Sequence, residues 1–109
     1  DMVVSGGVNL YPSESENVLR EYPGVADIAV IGIPHADLGE QLLALVVASD
    51  PLNPPTASEL ETFCRDRLAS YKIPRKFELV EELPRNEMQK IDKKLLRKPY
   101  WDSDRTIGG

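Results

Sequence analysis

Apolar positions change period several times along the chain, and each change marks an element. Met2 to Ser5 and Val8 to Tyr11 are short β-type runs on either side of Gly6-Gly7, which predicts a hairpin with a tight turn over residues 1–11. Ser13 to Tyr22 has helical spacing. Ser13 with Glu16 three residues on predicts a capping box, and Pro23-Gly24 predicts the stop. Val25 to Ile33 runs apolar and β-branched up to Pro34, the pattern of a strand with a buried centre. "PHADLGEQ" reads as a turn and Leu42 to Val47 as the returning strand. Three prolines between Asp50 and Pro55 make a loop, after which Thr56 and Glu59 supply a second capping box. The helix that follows is predicted to reach about Ser70, with Leu60, Phe63, Cys64 and Leu68 as its apolar face. Lys76 to Val80 is a further strand, "EELPRNEMQK" a loop and Asp92 to Lys98 a short helix, with a tail beyond Trp101 expected to fray. The order predicts an α+β two-layer sandwich: an N-terminal β-hairpin, then a small three-stranded sheet covered by helices.

At 109 residues the chain is one domain, with the α+β core over residues 12–98 and a tail over 99–109. Hydrophobic residues make up 41%, enough for a real core. No apolar run approaches the ~18 residues a membrane span needs, no signal peptide opens the sequence, and the single cysteine, Cys64, excludes an internal disulfide. The expected compartment is the cytoplasm. Net charge is −5, unevenly placed: between Lys72 and Lys98 nine Lys/Arg face five acids, a local +4 against −9 elsewhere. A basic stretch on an acidic body suits a small anionic ligand or an acidic protein surface. It does not suit nucleic acid, which the acidic body would repel, and no aromatic interleaves with the basic run.

Candidate chemistry is sparse. His35 is the lone histidine and Cys64 the lone cysteine, so no zinc cluster of the usual types can form. Cys64 reads as a small hydrophobe on a buried helix face, and His35, following Pro34 in a turn, as a solvated side chain. No Ser/His/Asp set can be assembled, so the domain holds no self-sufficient active site. Gly6-Gly7 and Lys90 remain. A glycine pair is turn chemistry, and it also lets a ligand pass against bare backbone. Lys90, on the joint between loop and helix, is either a surface lysine or a mobile cation that neutralises developing phosphate charge without a base.

Three separated stretches, "DMVVSGGVNLYPSESE", "PGVADIAVIGIPHADLGE" and "LPRNEMQKIDKKLLR", together resemble the C-terminal domain of the adenylate-forming enzymes. The similarity runs from Asp1 to about Arg97 and is nearest in flavour to the fatty- or aryl-acid CoA ligases. It implies an AMP-forming acyl-CoA synthetase whose larger N-terminal domain holds ATP, the carboxylic acid and Mg2+, with CoA as the thiol substrate. The small domain would be a rotating lid, inactive alone. The resemblance makes Lys90 the catalytic lysine of adenylation, and Gly6 and Gly7 the loop that later lines the pantetheine tunnel. Tyr71, Lys72, Arg75 and Lys76 would hold the nucleotide end of CoA, and the hinge would fall at or just before Asp1. Three positions depart from the family pattern. Gln89 stands where glycine often precedes the lysine, Ser15 where an aliphatic residue is usual, and Val8 where a polar one is common. A positive φ at Gln89 would strain the turn by ~1 kcal/mol or more. The competing reading is a small non-catalytic protein-binding module that uses the basic 72–98 stretch.

Overall fold

Two long strands, each apolar on both faces, organise the molecule. The computed structural model describes the backbone of residues 1–108 and the side chains of residues 1–102. In chain order the elements are β1 (Val3–Ser5), β2 (Val8–Leu10), α1 (Pro12–Leu19), β3 (Val25–His35), β4 (Gly39–Ala48), α2 (Ala57–Arg65), a 3-10 turn (Ser70–Lys72), β5 (Lys76–Leu79) and α3 (Lys93–Gly108). β3 and β4 pair antiparallel from Val25↔Ala48 to His35↔Gly39. Alternate residues leave a strand on opposite faces. On one face Ile28, Val30, Leu42, Ala44 and Val46 pack with Leu19 of α1 and Leu60 and Cys64 of α2. On the other, Ala29, Ile31, Ile33, Leu43 and Leu45 pack with Leu83, and Ile91, Leu96 and Tyr100 lie against them. Burial on both sides is why these strands read as continuous apolar runs.

β5 lies parallel to β4 along Leu43–Val46, and the β1–β2 hairpin meets the start of β4 at Ser5↔Gly39. The hairpin therefore joins the same sheet, which has five strands. The expected α+β sandwich is present, with α1 and α2 as its helical layer, while α3 and the segment around Leu83 close the opposite face.

Several boundaries differ from expectation, each for a local reason. The Ser13–Glu16 capping box does not form: α1 begins at Pro12, whose ring presets φ and needs no N–H partner at that position. Glu16 instead turns inward, accepting from the Val30 N–H at 2.8 Å and from Lys93 Nζ at 2.7 Å. The second box does form, with Thr56 Oγ1 accepting from the Glu59 N–H and Glu59 Oε1 from the Thr56 N–H. Its helix closes at Arg65, short of Ser70, and Ser70–Lys72 forms a separate 3-10 turn. β3 runs through Pro34 to His35; it lies at the sheet edge, where a proline's missing N–H deprives no second neighbour. α3 does not stop at Lys98 but continues through Pro99 to Gly108. Two contacts pin it: Tyr100 Oη donates to Glu78 Oε2 at 2.8 Å, and Trp101 Nε1 donates to the Gly32 carbonyl at 3.0 Å. Side chains of the tail from Ser103 onward lie outside the described residues.

Candidate functional site

Lys90 closes a turn built around Asn86. The Asn86 N–H donates to the Lys90 carbonyl at 2.8 Å, and Asn86 Oδ1 accepts from the N–H groups of Met88 and Lys90. Between them Gln89 takes φ 65°, the left-handed conformation that favours glycine. Arg85, which pairs across the turn with Ile91, ties the loop to β3 through Asp27 Oδ2 at 2.6 Å. The backbone of Lys90 is thus held at both N–H and C=O while its side chain is exposed.

An open groove surrounds it, lined also by Asp1, Glu16, Gln89, Lys93 and Arg97. The acids there already have partners. Asp1 meets Lys93 Nζ at 3.1 Å and Arg97 Nη1 at 3.6 Å, and Glu16 holds Lys93 from the other side. Among the described residues no carboxylate forms an ion pair with Lys90. Asp1 and Lys90, singled out for different reasons, share this groove.

Gly6 lines a second groove that has no lining residue in common with the first, and Gly7, next in the turn, is not part of its lining. Their φ values of 57° and 81° make the two-residue connection between the paired Ser5 and Val8 a primed turn, open only to glycine-like residues. The Gly6 N–H donates to the Leu38 carbonyl at 2.8 Å, and a Cβ on Gly6 would stand 3.0 Å from Leu38 Cδ2. A Cβ on Gly7 would meet nothing within 4 Å, so that edge of the turn faces open space. Val8, Leu38 and Ile73 give the groove an apolar floor, and Tyr71 and Arg75 stand beside it.

The four residues expected to bind a nucleotide do not all converge. Tyr71 and Arg75 line the groove, whereas the Lys72 ammonium is held by Glu14 Oε2 at 2.8 Å. That hydrogen bond, and then the Glu14 charge, raises Lys72 above its ordinary range. Lys76 sits in β5 opposite Leu43, on the sheet face away from Phe77 and the α1–α2 layer, so it does not reach the groove. The basic stretch is likewise not one patch, because Lys72, Arg85, Lys93 and Arg97 each pair with an acid from the first 27 residues.

Asn86 escaped the sequence reading, since an asparagine in a loop has no single signature. His35, expected as a solvated side chain in a turn, instead ends β3 half-buried, and its Nδ1 accepts from the N–H groups of Asp37 and Leu38. A side-chain acceptor two and three residues ahead of free N–H groups was the available signal, as in an Asx turn. Cys64 is a core residue, its thiol pushed up to about 11 by burial.

The Lys90 turn and the glycine turn thus border separate grooves. The chain belongs to the AMP-binding enzyme C-terminal domain family, whose profile matches residues 14–90. It is 44% identical over 100 residues to the long-chain-fatty-acid–CoA ligase FadD13 of Mycobacterium tuberculosis, covering 92% of this chain and 20% of that enzyme. It is 42% identical over 108 residues to the fatty acid–[acyl-carrier-protein] ligase ScoC of Streptomyces coeruleorubidus, covering 98% of this chain and 21% of that one. A solved Mycobacterium tuberculosis fatty acyl CoA synthetase superposes with TM-score 0.86 at 43% identity, over 94% of this chain and 20% of its own. The chain thus spans about a fifth of the length of the relatives it matches. These similarities favour the ligase reading over a separate protein-binding module. Among the described residues no helix is long and apolar enough to cross a membrane.

Proposed function

We propose that residues 1–109 are the C-terminal lid of an ATP-dependent acid–thiol ligase, which activates a carboxylic acid as acyl-AMP and then forms its CoA thioester. The observation that carries this reading is the placement of Lys90: its backbone is fixed, its ammonium forms no ion pair among the described residues, and a second groove lies apart from it. In adenylation a carboxylate oxygen attacks the α-phosphorus of ATP and pyrophosphate leaves. Two anions must approach, and a lysine delivered by lid closure offsets their repulsion. A preorganised donor of this kind contributes roughly 3–4 kcal/mol, a hundred- to thousandfold in rate. Rotation about the chain near Asp1 then brings the Gly6–Gly7 turn to the acyl-adenylate. The thiol attacks the acyl carbon there and AMP leaves. Tyr71 and Arg75 suit the nucleotide end of CoA, one by stacking and one by charge.

Among the described residues no three His, Cys, Asp or Glu converge to hold a metal. Mg2+ is expected to accompany ATP on the larger domain, and no step on this chain runs through it. The names of the relatives favour a fatty acid as substrate, and the use of ATP and CoA favours the cytoplasm. ScoC is named for a carrier-protein acceptor, so a carrier-protein arm is the alternative thiol.

Lys90→Ala in the full-length parent, with the two half-reactions assayed separately, is the test. Adenylate formation should fall about a hundred- to thousandfold, while thioester formation from supplied acyl-adenylate largely survives. Equal loss of both, or of neither, overturns the reading.

A further inference from the structure

His35 lies outside both grooves yet shapes the one that the thiol is to enter. Its Nδ1 accepts the N–H groups of Asp37 at 3.1 Å and Leu38 at 3.0 Å, closing the turn between β3 and β4. Both partners are donors, so Nδ1 must present a lone pair and the ring proton sits on Nε2. The turn so closed aims Leu38 at the hairpin. The Leu38 carbonyl takes the Gly6 N–H at 2.8 Å, and its side chain leaves only 3.0 Å to a Cβ on Gly6. That side chain also lines the groove with Tyr71 and Arg75. One residue on, Gly39 makes the Ser5↔Gly39 contact by which the hairpin joins β4. Two of the hairpin's backbone attachments thus fall within four residues of His35.

We propose that His35 is a positioning residue for thioester formation: through Leu38 it holds the Gly6–Gly7 turn where the thiol passes. The proposal rests on the ligase reading above. Removing the imidazole gives up the Asp37 N–H to solvent, leaves the part-buried Leu38 N–H without its acceptor and releases Leu38, which loosens the glycine turn. The Lys90 turn is anchored separately, through Asn86 and the Arg85–Asp27 pair, and does not depend on it.

The test uses the full-length parent and the two half-reactions. His35→Ala raises the KM for CoA about tenfold, the scale of a lost hydrogen-bonding partner, and leaves acyl-adenylate formation essentially unchanged. His35→Asn, whose Oδ1 can accept the same N–H groups as an Asx turn does, restores most of that KM. His35→Gln, with its acceptor one methylene further out, shows the same selective loss and serves if His35→Ala does not fold. Equal slowing of both half-reactions, no change in either, or an asparagine variant as impaired as the alanine one overturns the assignment and leaves the ligase reading standing. A wild-type parent that makes neither acyl-adenylate nor thioester overturns both.

Discussion

Gln89 carries the clearest conflict between local preference and the conformation it adopts. Its φ of 65° puts a β-carbon close to the following carbonyl oxygen, which costs about 1–2 kcal/mol for a residue with a side chain. The surrounding turn imposes that conformation. Asn86 Oδ1 fixes the N–H groups on either side, and Asn86 and Lys90 exchange a backbone hydrogen bond across it. Gln89→Gly removes the strain but adds unfolded-state freedom worth roughly 0.5–1 kcal/mol. The net gain is expected to be positive and at most about 1.5 kcal/mol, read as a higher urea midpoint at unchanged m-value. A lower midpoint would mean that the glutamine side chain makes a compensating contact. The unusual φ could be suspected from the sequence because the resemblance marks this position as glycine-like. The role of Asn86 could not, since its two acceptor contacts exist only once the turn has closed.

Element boundaries show where local rules are outweighed by tertiary partners. Ser13 and Glu16 satisfy the spacing of a capping box as well as Thr56 and Glu59 do, yet only the second pair forms one. Glu16 is 8% exposed and has a better offer, a buried strand N–H and a lysine from α3, neither visible within a window of four residues. Ser15, where an aliphatic residue was expected, likewise serves a distant partner, donating to the Lys72 carbonyl at 2.8 Å. The extension of α3 was hidden because Pro99 and the charged run argue for a stop. Tyr100 and Trp101 supply the docking that propensity lacks. Burial, and then the hydrogen bond to Glu78, pushes the Tyr100 phenol up to about 12 from an ordinary 10. A folded-state value above the unfolded one favours the neutral, docked form. Its contribution is complete below pH 10 and is lost as the pH rises through 12. Fluorescence of Trp101, the sole tryptophan, should therefore report loosening of α3 over that interval. Tyr100→Phe should flatten that limb.

At the scale of the whole molecule, the order of elements and the two-sided core followed from periodicity, while the partition into two grooves did not. Continuous apolar runs state that β3 and β4 are buried on both faces, but not which loops meet at their ends. Charge counting misled for the same reason: the stretch from Lys72 to Lys98 is basic in sequence, and folding pairs much of it with acids from the first 27 residues. Among the described residues Lys90 forms no ion pair in one groove and the glycine turn borders another, and a lid proposed to work in two orientations needs two such independent surfaces. That independence can be tested from the glycine side. A Cβ at Gly7 meets nothing within 4 Å, so a side chain there starts from open space, although φ of 81° strains any residue but glycine. Asparagine tolerates that conformation best, so Gly7→Asn isolates the backbone effect and Gly7→Phe adds bulk. In the full-length parent both variants should form acyl-adenylate at near the wild-type rate. Gly7→Phe should slow thioester formation about tenfold or more relative to Gly7→Asn, since near-attack geometry tolerates little displacement. Were adenylation to fall in step, the two grooves would serve one event rather than two, and a lid with two separate working faces could not be sustained.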